Sequence, residues 1–85
     1  MNMKLTDYYI GSVSYDNDEG EFDDHILWGI EKHHLYEKMV KFMGMRKSAE
    51  VLFVSRIVHE KNAERKEYNI TELAKQEIRK QYGVG

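Results

Sequence analysis

The chain contains no cysteine, which removes disulfides, thiol nucleophiles and cysteine-bearing zinc sites together. Small domains without disulfides belong mostly to reducing compartments, so a cytoplasmic location is expected. No run approaches the ~20 apolar residues needed to span a bilayer. Nor do Met1-Asn2-Met3-Lys4-Leu5-Thr6-Asp7 contain an apolar stretch of signal-peptide length. No membrane partner is expected. Also lacking are a glycine-rich phosphate loop, a Gly-x-Ser-x-Gly turn and any pair of carboxylates recognisably set apart from solvent. An 85-residue chain has little room for a concave pocket once its core is filled. These absences argue against an enzyme, and no cofactor is expected.

What is present suits one small globular domain over residues 1–85. Apolar residues make up 41% and charged residues 33%, and three Phe, six Tyr and one Trp supply large side chains for a small core. The formal net charge of −2 conceals an asymmetry. Residues 1–24 hold one lysine against seven acids, a formal −6, whereas residues 25–85 hold twelve Lys or Arg against eight acids, a formal +4. Such polarity bears on partner choice and encounter rate rather than on fold.

Most of the negative charge lies in one stretch, Asp16-Asn17-Asp18-Glu19-Gly20-Glu21-Phe22-Asp23-Asp24. On its N-terminal side, Leu5 to Tyr15 is rich in aromatic and β-branched residues without helical spacing, which predicts a strand. Tyr9, Gly11, Val13 and Tyr15 would share one face, and Gly11 would mark a bulge or a close approach by a helix or another backbone. On the C-terminal side, a single helix from Asp24 to Met43 would scatter its apolar residues around the axis. Splitting it restores coherence: a strand from about His25 to Glu31 puts Ile26, Trp28 and Ile30 on one face. A helix from about Lys32 to Met43 then buries Leu35, Met39, Phe42 and Met43, with Gly44 just past its end.

Ser48 to His59 is apolar on both faces at its start and reads as a central strand. Glu60 to Arg65 turns the chain, Lys66 to Asn69 returns as a more exposed strand, and Asn69 with Glu72 makes a capping pair. Ile70, Leu73, Ala74, Ile78 and Tyr82 form a helical stripe over about Ile70 to Tyr82, with Gly83 beyond. The expected fold is α+β, in β-β-α-β-β-α order: a single, mostly antiparallel four-stranded sheet with two helices on one face.

The acidic stretch invites a calcium reading, but its spacing departs from an EF-hand: counted from Asp16, glycine falls at position five and Leu27 at twelve. A solvated hairpin that blunts a sheet edge is the plain alternative. The functional expectation is a small non-enzymatic regulator or inhibitor, of the type phages and mobile elements encode. It would dock Asp16, Asp18, Glu19, Glu21, Asp23 and Asp24 on a protein partner with a basic groove, and use Phe22 as anchor. Nucleic-acid binding is the alternative: Lys32, Lys38, Lys41, Arg46 and Lys47 gather around the first helix, and Arg56, Lys61, Arg65 and Lys66 around the second hairpin. A homodimer through the open sheet face or an edge strand is a further expectation. His33 and Glu37, four apart on the first helix, could share an ion, yet two ligands do not make a metal site, and a third would have to come from His25 or His59.

Overall fold

The structure, a computed structural model, describes residues 6–61 and 64–83. Its elements are β1 (Tyr8–Asp16), β2 (Phe22–Gly29), α1 (Lys32–Met43), β3 (Lys47–His59), β4 (Arg65–Asn69) and α2 (Thr71–Tyr82). The four strands form one antiparallel sheet in the order β2-β1-β3-β4, so the first strands of the two hairpins are central and the second strands are the edges. The α+β fold in β-β-α-β-β-α order is as expected. The predicted start of the first strand at Leu5, and Asn62 and Ala63 in the turn before β4, lie outside the described residues.

Both helices pack on one face of the sheet. Leu35, Tyr36, Met39 and Phe42 of α1 join Ala74 and Ile78 of α2, with Val13, Val51 and Val54 beneath them, in one buried cluster. Gly11 permits this closeness. A Cβ there would stand 3.1 Å from Met39 Sδ and 3.1 Å from the Phe53 carbonyl, so the helix approaches the sheet where β1 has no side chain. The bulge lies on the neighbouring strand instead. Between Ser12 and Val13 the pairing steps from Phe53 to Val51, leaving Leu52 as the extra residue. A second irregularity between Ser14 and Asp16 coincides with Ser48, whose φ of 51° is left-handed.

The two helices are also joined by a polar contact. Tyr36 donates to Glu77 Oε1 at 3.0 Å, and Lys32 Nζ reaches the same carboxylate at 2.9 and 3.1 Å. The lysine bond holds Glu77 below the usual carboxylate range, against partial burial that pushes it the other way, and the Tyr36 bond lowers it further. Burial, followed by the Glu77 hydrogen bond, raises the Tyr36 hydroxyl well above its ordinary value, so it remains a donor.

Several expectations need correction. β2 begins at Phe22 rather than near His25. Ile26 and Trp28 share a face as expected, and it is the one turned away from the helices. The helix-facing positions are His25, which stacks on Phe42 at 4.2 Å, and Leu27, opposite Gly11. Leu73 is half-exposed rather than part of the buried stripe, Met43 is only partly buried, and Tyr36 is buried although the predicted helix face does not include it. Gly44 and Gly83 follow the ends of α1 and α2 as expected; Gly44 is right-handed, and Gly83 is left-handed with its N–H donating to the Arg79 carbonyl at 2.9 Å. α2 starts at Thr71 with Ile70 as its N-cap residue, so Asn69 lies one residue before the position the predicted capping pair needs, and its Oδ1 accepts from the Thr71 N–H at 2.9 Å.

Candidate functional site: the acidic hairpin and its edge strand

Because β2 starts early, the turn proper is short, residues 17–21, and Phe22, Asp23 and Asp24 are strand residues. Tight turns need left-handed backbone and local acceptors for their N–H groups, which Asp, Asn and Gly supply. Asp18 and Gly20 take φ values of 66° and 84°. Asn17 is the hub: its Oδ1 accepts from the Glu19 N–H at 2.8 Å and the Glu21 N–H at 3.2 Å, and its Nδ2 donates to Asp23 Oδ2 at 3.2 Å. Its own N–H donates to the Glu21 carbonyl at 3.0 Å, and Asp16 Oδ1 accepts from the Asp18 N–H at 2.9 Å.

The candidate residues therefore divide into two groups. Asp16 and Asp23 accept hydrogen bonds within the turn. Asp18, Glu19, Glu21 and Asp24 present exposed carboxylates, of which Asp18 lies 3.4 Å from Lys47 Nζ. Phe22 pairs across β1 with Asp16, and its side chain is 65% exposed.

Phe22 is the first residue of a longer apolar row. Strand periodicity places Phe22, Asp24, Ile26 and Trp28 on the sheet face away from the helices. Ile26, Trp28 and the following Ile30 are 52%, 56% and 50% exposed. Tyr8 meets Trp28 edge-on at 6.4 Å, and Lys38 Nζ sits 5.4 Å from the indole and donates to the Trp28 carbonyl at 2.8 Å. An aromatic-rich row on an edge strand, with carboxylates at one end, is a surface that folding alone does not call for. The sequence pattern puts Ile26, Trp28 and Ile30 on one face; that Phe22 and Asp24 join the strand, and that the helices cover its other face, follows only from the fold.

Many of the basic residues named for nucleic-acid contact are engaged within the chain. Lys32 is on Glu77, Lys47 on Asp18, Arg65 on Glu67 and Lys66 on Glu60, at 2.9 to 3.6 Å. Arg46 lies 5.2 Å from the rings of both Tyr15 and Phe42.

Among the described residues the carboxylates of the acidic turn do not converge as a set of three, and the grouping that does is Glu31, His33 and His34. His33 Nδ1 is 3.4 Å from Glu31 Oε2, so its acidic neighbour is the residue before the helix. His25 is occupied with Phe42, and the backbone N–H of His59 donates to Asp7 Oδ1 at 3.0 Å. Neither belongs to that group. The β2–α1 junction that carries it is tightly built: a Cβ on Gly29 would stand 3.0 Å from the Leu35 nitrogen, and the His34 and Leu35 N–H groups both donate to the Glu31 carbonyl. A separate cleft of about 390 Å³ between β3 and α2 is lined by Ala49, Glu50, Val51, Lys75, Ile78 and Arg79.

Fold and site together define an α+β domain with an acidic hairpin at the head of an apolar edge strand. Set against protein-family models, curated proteins and solved structures, the chain finds no match in any of the three. Among the described residues, no helix is long and apolar enough to cross a membrane.

Proposed function

We propose that the chain is a non-enzymatic protein-binding module, a regulator or inhibitor, which sets its acidic hairpin and the apolar row of β2 against a basic groove on a partner protein. One observation carries this reading: Phe22, Ile26 and Trp28 of β2, and Ile30 just after it, stand exposed, and β2 starts at the acidic turn. Large aromatic anchors are what the energetic centres of protein interfaces concentrate. The carboxylates of Asp18, Glu19, Glu21 and Asp24 would steer encounter, and the apolar row would hold the complex. A turn already braced through Asn17 loses little freedom on docking, which lowers the cost of association. Nucleic-acid binding has less support, since many of the cations it needs already have partners in the chain.

The test is affinity for the partner recovered by cross-linking and then purified. Replacing Asp18, Glu19, Glu21 and Asp24 with Asn or Gln is expected to slow association and flatten its salt dependence. Phe22→Ala and Trp28→Ala are each expected to weaken binding by more than about 1 kcal/mol. Wild-type affinity in all three variants would discard the proposal.

A further inference from the structure

The geometry points to a surface site for a divalent transition-metal ion of the zinc or nickel type, held by Glu31, His33 and His34, with one coordination position open. Two ligand atoms each about 2.0–2.1 Å from a tetrahedral zinc stand about 3.3–3.4 Å apart. Glu31 Oε2 and His33 Nδ1 are 3.4 Å apart, the edge of such a tetrahedron. A ligand nitrogen of His34 completes the set, all three donor atoms lying within 4.8 Å of one another. Closing that remaining gap takes only side-chain rotation, because the two imidazoles are already together, with ring centres 4.1 Å apart.

The backbone that carries these donors is fixed. Glu31 is the N-cap residue of α1, a position where a side chain commonly folds back onto the first free N–H groups. Its carboxylate makes no such cap bond and is turned toward His33 instead. The Glu31 carbonyl is bound by the His34 and Leu35 N–H groups, and the close fit around Gly29 leaves the junction little freedom. Two imidazole nitrogens and one carboxylate oxygen favour zinc, nickel or copper over calcium or magnesium, which prefer all-oxygen shells. All three side chains are exposed, so the fourth position faces solvent. The positive end of the helix opposes a cation here, and the Glu31 carboxylate offsets it.

The experiment is calorimetric titration of the untagged full chain with zinc chloride and with nickel chloride. The expected result is saturable uptake of one ion per chain, with cobalt giving the visible absorption of a low-coordinate site. His33→Ala and His34→Ala should each weaken uptake at least about tenfold, and Glu31→Gln should also weaken it. His25→Gln should leave it unchanged. All three donors are exposed, so the variants should melt like the wild type in the absence of metal. No saturable uptake up to millimolar ion, or full affinity in the double variant His33→Ala/His34→Ala, would overturn the site.

Discussion

The ammonium of Lys38 caps the carbonyl of Trp28 at 2.8 Å and lies 5.4 Å from the same residue's ring. One side chain from α1 thereby satisfies a backbone acceptor of the edge strand and screens part of its largest exposed aromatic. Lysine at a sheet edge discourages the addition of a further strand. Lys38→Ala is therefore expected to leave the fold intact and to promote self-association, read as a concentration-dependent rise in mass by analytical ultracentrifugation. Identical sedimentation of wild type and variant across the range would refute that guarding role.

Asn17 should matter more to stability than any charged residue of its turn. It accepts two backbone N–H groups and donates to Asp23, so Asn17→Ala leaves several polar groups without their partner. A loss of about 1 kcal/mol in urea denaturation is expected, the exposed setting keeping it at the low end of such effects. Glu19→Gln, which removes charge without touching this scaffold, should cost nothing measurable. Equal effects in the two variants would show that Asn17 does not organise the turn.

Glu77 predicts the direction of acid sensitivity. Its carboxyl is held below the usual range by Lys32 first and by Tyr36. A depressed folded value contributes stability above the ordinary carboxylate pKa, and that stability is lost as pH falls through the folded value. The melting-temperature gap between wild type and Glu77→Gln should be largest near neutrality and narrow on acidification. A gap independent of pH would mean that the carboxylate's charge contributes nothing.

Ser48 occupies a left-handed conformation that costs a side-chain-bearing residue about 1 kcal/mol. Glycine adopts it without that penalty. Ser48→Gly should leave stability unchanged or raise it by up to about 1 kcal/mol, whereas Ser48→Val should lower it. Thermal melts of the two variants decide this, and a stabilising valine would remove strain as the explanation.

Much of the fold was legible because the apolar periods were unambiguous. Leu35, Met39 and Phe42 give a helix, Val51 to Val54 a central strand, and the split after β2 follows from the incoherence of one long helix. The facing of β2 was less legible. Ile26, Trp28 and Ile30 are heavier than His25, Leu27 and Gly29, so composition favours burying the wrong set. On the covered side, Gly11 and Gly29 leave the room that α1 and its N-terminal junction occupy. In the acidic stretch, the count of carboxylates showed a charged patch but not which acids serve the turn. That division depends on Asn17, an uncharged residue a charge count passes over. Glu31 was missed as a partner for His33 because helical spacing directs attention to Glu37, while the contact crosses the helix boundary.

The pairing of β1 with β3 joins distant parts of the chain. Gly11 meets Val54 and Tyr8 meets Ile57, with all of β2 and α1 between them in sequence. Each hairpin closes locally and quickly, but the sheet becomes continuous only when its two middle strands find register across that long loop, with Leu52 set out of step. Val54→Ala should therefore slow refolding in stopped-flow measurements, while Tyr68→Ala on the outer strand should chiefly speed unfolding. The reverse pattern would place the slow step elsewhere. The two hairpin-and-helix halves are thus kinetically unequal to the whole: neither presents a finished sheet until the central seam has formed.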